Sequence, residues 1–394
     1  MAVQGIFESN RGIVGNRKPD FASALIQIGA TGSAPLLALT AGMKSNPAMN
    51  TIVHWFEESK IIGRFTLAAG YAANITDLQI DDASSVIPGT IFNIEETGEY
   101  IIVNTSDGAT MIGVTRGFAG TTAAIITIND HITRVGNAHE ESSGIPTPVV
   151  NQGSTRQNYT QIFRNAWAVS GTAKAVQFHT GSQLAKNRAD AGMFHAEDME
   201  RSFWWGRKNI GVRNGNRFST SDGIDPQIRQ YGGVVETPAG GNVDQANFRD
   251  FLRRVFKNNI KGQPNERIAF AGDLTLQYLN EAARLDSTFR ILTGETDFGM
   301  KFTSFICPFG TVKVMTHPLF VENPFYQGSL YVIHPGAIEM RPLRATFREE
   351  YDKNGLRIQG VDADQGVITT ETCMTLAAPI TCGIMEGITG AVAS

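Results

Sequence analysis

Between Phe65 and about Val135 the chain breaks roughly every ten residues at a turn pair, and this punctuation constrains the fold more than any other feature. Pro88-Gly89 precedes Thr-Ile-Phe-Asn-Ile, Thr97-Gly98 precedes Tyr-Ile-Ile-Val, Asp107-Gly108 precedes Met-Ile-Gly-Val, and a further apolar run spans Ile125 to Ile128. Glycine at the second place of a turn supplies positive φ without steric cost, and short β-branched runs between such turns form strands. The spacing predicts a compact all-β barrel or sandwich over residues 66–135. The flanking sequence does not share the pattern, so the unit reads as an insertion.

The flanks read as two rails of a long hairpin. Ile52 to Phe65 is rich in strand formers and carries the aromatic pair Trp55 and Phe56 beside Glu57 and Glu58. Gly136 to about Thr160, with Pro146 and Pro148, is the return rail, and the pair is taken as residues 51–65 and 136–165. Residues 1–50 show neither helical nor strand periodicity and hold many Gly and Pro, which predicts an extended arm. Its apolar groups, among them Phe21, Leu25, Leu36, Leu37 and Leu39, need a surface to cover.

Helical spacing begins further on. A long helix is predicted over 183–207 with a seam of small residues, Ala185, Ala189, Gly192, Ala196, Met199 and Phe203, and with Lys186–Asp190 and Glu197–Arg201 pairs outside. Asn242 and Gln245 resemble a capping box before an amphipathic helix of Phe248, Phe251, Leu252, Val255 and Phe256 that ends near Asn258. Arg267 to Gly272 reads as a buried strand, and Asp273 caps a helix carrying Leu276, Leu279 and Ala283. Strands follow at 311–316, 329–334, 338–341 and 367–376. Strands and helices that do not alternate regularly give the α+β class, and 394 residues suffice for two or three domains.

Composition removes several functions. With 34 Lys plus Arg against 38 Asp plus Glu, the net charge of −4 draws in no polyanion. The cysteines, Cys307, Cys373 and Cys382, have neither the even count of a disulfide framework nor the paired spacing of a zinc site. No stretch reaches ~18 unbroken apolar residues, and no signal peptide opens the chain. The sequons at Asn74, Asn104 and Asn158 therefore carry no weight.

Catalytic patterns fail one by one. No Gly-x-Ser-x-Gly elbow is present and the seven histidines lie apart. His195-Ala-Glu197 matches half of a zinc deaminase signature, but the Pro-Cys-x-x-Cys half is missing, so His195 is read as a polar residue on the long helix. Gly29-Ala-Thr-Gly32-Ser lacks the lysine of a phosphate loop. The acid pairs Asp81-Asp82, Glu57-Glu58 and Glu95-Glu96 are expected to point to opposite strand faces and serve as solvated or interface charge. Phe203-Trp204-Trp205-Gly206-Arg207-Lys208 resembles a stacking platform for single-stranded nucleic acid, but cations at a helix C-terminus with aromatics closing a core explain it better.

The order of these parts resembles the Hong Kong 97-like capsid fold of tailed bacteriophages. The stretches that carry the resemblance are Ala24-Leu-Ile-Gln-Ile-Gly-Ala-Thr-Gly-Ser-Ala-Pro-Leu, Val53-His-Trp-Phe-Glu-Glu, Glu200-Arg-Ser-Phe-Trp-Trp-Gly-Arg-Lys and Thr372-Cys-Met-Thr-Leu-Ala-Ala-Pro. They look like the capsid family with a β-rich insertion in its extended loop. The resemblance implies a major capsid protein that assembles as hexamers and pentamers into an icosahedral head around double-stranded DNA. It implies an arm over 1–50, a peripheral domain over 166–225 and 342–394, and an axial domain over 226–341. Expected partners are further copies of the chain, a separate scaffolding protein, a portal and decoration proteins, with packaged DNA in weak non-specific contact and no membrane. The expected location is the virion capsid, after assembly in the host bacterial cytoplasm. No cofactor, metal or catalytic residue comes with the resemblance. Trp55, Phe56, Glu57, Glu58, Arg207 and Lys208 are the candidate inter-subunit contacts. The alternative is a tail or host-attachment component whose β module binds carbohydrate.

Overall fold

The computed structural model describes residues 34–41, 46–58, 63–151, 153–176, 178, 181–285, 291–297, 300–351 and 362–391. Most of the expected arm, residues 1–33 and 42–45, lies outside the described residues. Where the described chain begins, Pro35–Ala41 forms a short helix that the glycine-rich reading of the arm did not anticipate. Chain contacts divide the molecule into two compact units, Phe56–Arg156 and Met1–Trp55 with Gln157–Ser394.

The Phe56–Arg156 unit is built on a six-stranded antiparallel sheet in the order Arg64–Thr66, His131–Asn137, Thr90–Ile94, Tyr100–Ser106, Met111–Thr115, Asp77–Gln79. Its strands alternate as a sheet with one covered face must: Thr90, Phe92 and Ile94 are buried while Ile91 and Asn93 between them are less so. The inward side chains, with Phe65 edge-on to Phe92 at 5.6 Å, form a core of their own. Ile125–Ile128 is not a strand. Only Ile126 bridges, to Tyr71, and the strand comes later, at His131–Asn137, after Asn129 turns the chain at φ 70°. From Ala138 to Gly153 the described residues form no helix or strand and are exposed.

The other unit carries, among the described residues, a seven-stranded mixed sheet in the order Val234–Glu236, Gly383–Met385, Leu330–Ile333, Glu266–Ala271, Gly310–Thr316, Met300–Cys307, Ile291–Asp297. The central strand Glu266–Ala271 is buried on both faces, so its side chains feed two cores. Ile268 and Phe270 enter one with Tyr331 and Ile384, and Ala269 and Ala271 enter the other with Val312, Val332 and Met385. The helix Gln245–Val255 lays Phe248, Phe251, Leu252 and Val255 into the second core. Its cap is Asp244, whose carboxylate accepts from Asn247 N at 2.6 Å, and not Asn242, which sits in the two-residue strand Asn242–Val243. Such a cap contributes ~1 kcal/mol.

A three-stranded antiparallel sheet, Ile338–Glu350, Ala363–Leu376 and Gln161–Ser170, lies under the long helix Gln183–Trp205. The helix buries Ala191, His195, Met199, Glu200, Phe203 and Trp204. The expected seam of small residues is therefore only right from Met199 onward, and Ala185 and Ala189 are exposed. Burial follows Phe163 of the sheet, which meets Phe203 edge-on at 6.2 Å, rather than residue size.

Candidate functional site

The long helix ends in a cluster of buried polar groups that fixes the direction of the chain. Glu200 is wholly buried, and its carboxylate accepts from Leu36 N and Leu37 N, both at 2.8 Å, so it caps the first turn of Pro35–Ala41. Its third partner is His317 Nε2 at 2.8 Å. Trp204 Nε1 approaches that same nitrogen at 2.9 Å, and one ring nitrogen cannot both donate to Glu200 and accept from Trp204. Leu319 N donates to His317 Nδ1 at 3.2 Å, which leaves the ring proton on Nε2 and decides for Glu200.

Past the helix, the backbone crosses itself at two glycines. Gly223 N donates to Gly206 O at 2.8 Å, and a Cβ on Gly223 would stand 2.6 Å from Trp204 O, so no side chain fits there. Asn158, fully buried, ties this crossing to the sheet: its Nδ2 donates to Asp222 O and Met374 O, and its Oδ1 accepts from Asp222 N. Lys208 is half-buried, with Nζ 2.8 Å from Tyr231 OH and 3.6 Å from Asp222 Oδ2. Burial opposes its charge, but Tyr231 and Asp222 outweigh burial and hold the ammonium above its ordinary range. Arg207 is exposed.

The other contact candidates lie around the rail strands Ile52–Glu57 and Ser154–Tyr159, which pair as two strands. Phe56 is 82% exposed, Glu57 pairs with Arg156 at 3.4 Å, and Asn151 Nδ2 donates to Glu58 Oε1 at 3.0 Å. Trp55 is half-buried. The strand stops at Glu57, and residues 59–62 of the expected rail lie outside the described residues.

Residues that could have carried chemistry are committed elsewhere. His195 is buried, with Nδ1 2.8 Å from Asn165 Oδ1 and Nε2 2.7 Å from Thr370 Oγ1. Both nitrogens are used, burial holds the ring below its ordinary pKa, and Glu197 pairs with Arg201 at 3.1 Å. Glu95 and Glu96 correct an expectation: they occupy a turn after Thr90–Ile94, not a strand, and both turn toward His131. Those three side chains have metal-ligand spacing, yet Glu95 is engaged by Arg64 at 2.6 Å and Glu96 by His131 at 3.0 Å. Among the described residues, these groups are engaged with one another and form no nucleophile–base pair.

A family model that spans almost the whole sequence decides the matter. The family model of the SU10 major capsid protein matches residues 5–389. The chain belongs to this family. It is a phage major capsid protein, structural and not enzymatic, and the tail-component alternative falls. The "Major capsid protein" of Pseudomonas phage PaMx41 is 28% identical over 400 residues, covering 98% of this chain and 96% of that one. Among solved structures, the capsid of Myoviridae phage XM1 is similar over 98% of this chain and 99% of its own, at 9% identity and a TM-score of 0.47. Mycobacterium phage Bobi is similar over 96% of each chain, at 8% identity and a TM-score of 0.48.

Sequence reasoning missed the polar hub of this capsid protein. Glu200 left a signal, an acid set between Met199 and Phe203 on the apolar side of the helix. Asn158 left none beyond the discounted sequon, because a buried amide reads like any loop asparagine until its partners are placed.

Proposed function

We propose that this capsid protein closes as hexamers and pentamers into an icosahedral, Hong Kong 97-like head around double-stranded DNA. The observation that carries the reading is the family match over residues 5–389, which spans both compact units. Residues 1–50 are the arm, 51–65 and 136–165 the extended loop, 66–135 its β insertion, 166–225 and 342–394 the peripheral domain, and 226–341 the axial domain. Trp55, Phe56, Glu57, Glu58, Arg207 and Lys208 lie at contacts between subunits. A scaffolding protein, a portal and decoration proteins join the assembly, which forms in the bacterial cytoplasm and ends in the virion. With a net charge of −4 the wall holds packaged DNA only weakly.

Sedimentation of the purified chain, alone and with the phage's scaffolding protein, tests this. Fast particles composed of 42.7 kDa subunits are expected. A 42.7 kDa species that persists under both conditions overturns the reading.

A further inference from the structure

The hairpin of Asn209–Arg213 with Asn216–Thr220 turns on the pair Asn214-Gly215, and that pair carries a chemistry of its own. Both residues sit at positive φ, 51° and 77°, as a two-residue turn between antiparallel strands requires. The turn accounts for an asparagine followed by a glycine. It also sets a side-chain amide next to the least shielded peptide nitrogen a chain can offer. Gly215 has no atom within 4 Å of the place a Cβ would take, which leaves the approach to its nitrogen open on that side. Both residues are exposed, and neither the Asn214 amide group nor Gly215 N has a hydrogen-bond partner among the described residues.

Two further features favour reaction at this tip. The hairpin is a sheet of two strands with no third among the described residues, and such a ribbon is marginal in water, so its tip opens at little cost. Arg213 and Arg217 flank the turn, exposed and in no ion pair among the described residues. A cation favours the deprotonated form of a neighbouring group, here the peptide nitrogen that must lose its proton to become a nucleophile.

We propose that Asn214-Gly215 is a self-modifying site, at which the hairpin loses an amide and gains a carboxylate without any enzyme. Gly215 N gives up its proton to hydroxide and bonds to Asn214 Cγ. The Cγ–Nδ2 bond breaks, and the nitrogen leaves as ammonia with a proton taken from water. The five-membered imide then takes up one water. Opening at the side-chain carbonyl yields aspartate, and opening at the main-chain carbonyl yields isoaspartate, in which the backbone runs through the former side chain. Either product places the first carboxylate on a stretch, Arg207 to Thr220, that holds Arg207, Lys208, Arg213 and Arg217 and no acid. Isoaspartate also adds a carbon to a two-residue turn whose twist the paired strands depend on.

Peptide mapping by mass spectrometry of the full chain, kept folded at pH 7 and at pH 8, tests the site. Asn214 is expected to show the amide-to-acid mass gain as a mixture of aspartate and isoaspartate, about tenfold faster at the higher pH, because the population of deprotonated nitrogen grows in that proportion. Conversion in the folded chain is expected to stay within about tenfold of that in urea, since a fraying tip costs little to open. Asn216, also exposed but followed by Arg217 and its side chain, is expected to keep its amide. Hydroxylamine, which attacks the imide and breaks the chain there, is expected to cut between Asn214 and Gly215, and Asn214→Gln to abolish that cut. The other Asn-Gly pair, Asn354-Gly355, gives fragments of different length. An Asn214 that stays intact while the urea-unfolded chain converts overturns the proposal, because the turn then protects the amide. Equal conversion at Asn216 overturns it too, as does a cut at this position that survives Asn214→Gln.

Discussion

The two compact units each bury an arginine, and they solve the problem of its charge in opposite ways. In the β unit, Arg116 meets a carboxylate: its Nε and one terminal nitrogen each stand 2.7 Å from Glu99, which is itself buried and also accepts from Gly117 N and Ala124 N. Burial opposes the Glu99 charge, but Arg116 and the two amides outweigh it and hold the carboxyl below its ordinary range. In the larger unit, Arg267 is wholly buried and is held by neutral acceptors, Thr381 O, Asn258 O, Glu266 O and Asn259 Oδ1, over the Phe256 ring at 4.8 Å. One of these acceptors, Asn258 O, lies just beyond the C-terminal end of Gln245–Val255, the end at which a helix favours a cation. Arg116 also donates to the backbone oxygens of Ala72, Ile75 and Ala124, so the two sites differ in that one has an anion among its acceptors and the other has only dipoles.

Removing one partner separates the two designs most sharply. Glu99→Gln leaves Arg116 buried without its anion and is expected to cost the β unit about 3–5 kcal/mol. Hydrogen exchange read strand by strand would show the loss in Thr90–Ile94 and Tyr100–Ser106. Unaltered protection there would mean that the pair is not what holds the unit together. Next in size, Arg267→Met keeps much of the volume but strands several carbonyls, at about 3 kcal/mol, and chemical denaturation would report it as a lower midpoint with the slope unchanged.

Acid sharpens the comparison from the other side. His334 is buried near Arg267, and burial together with that charge pushes its pKa down to about 4. The folded state therefore binds fewer protons than the unfolded one between about pH 4 and 6.5, so stability is full above pH 6.5 and falls as pH drops through this window. Going from pH 7 to pH 5 is expected to cost about 2 kcal/mol. Melting temperatures of the wild type and His334→Gln at both pH values check it, since the variant should lose most of the difference. The smallest effect belongs to the exposed pair Arg64–Glu95, where Glu95→Gln should leave the melting temperature unchanged, because water screens a surface ion pair.

The same contrast explains what could be read from the sequence. Periodic elements were legible: Phe248, Phe251, Leu252 and Val255 repeat at helical spacing, and the turn pairs before Thr90, Tyr100 and Met111 announce their strands. Elements without a period of their own were not. Gln161–Ser170 is a strand because Ala363–Leu376 pairs along it, and the Asn209–Thr220 hairpin hides among polar residues. Of the contact candidates, Phe56 and Arg207 stand exposed, and Lys208 is partly taken into the chain by Asp222. Glu99, Arg267 and Glu200 escaped because a buried charge is defined by partners far away in sequence, such as Leu36 for Glu200.

The central claim is that this chain builds a closed shell, and negative-stain electron microscopy of the purified protein, with and without the scaffolding protein, tests it most directly. Closed icosahedral particles or capsomer rings are the predicted result. Fields of dispersed single subunits under both conditions would contradict it.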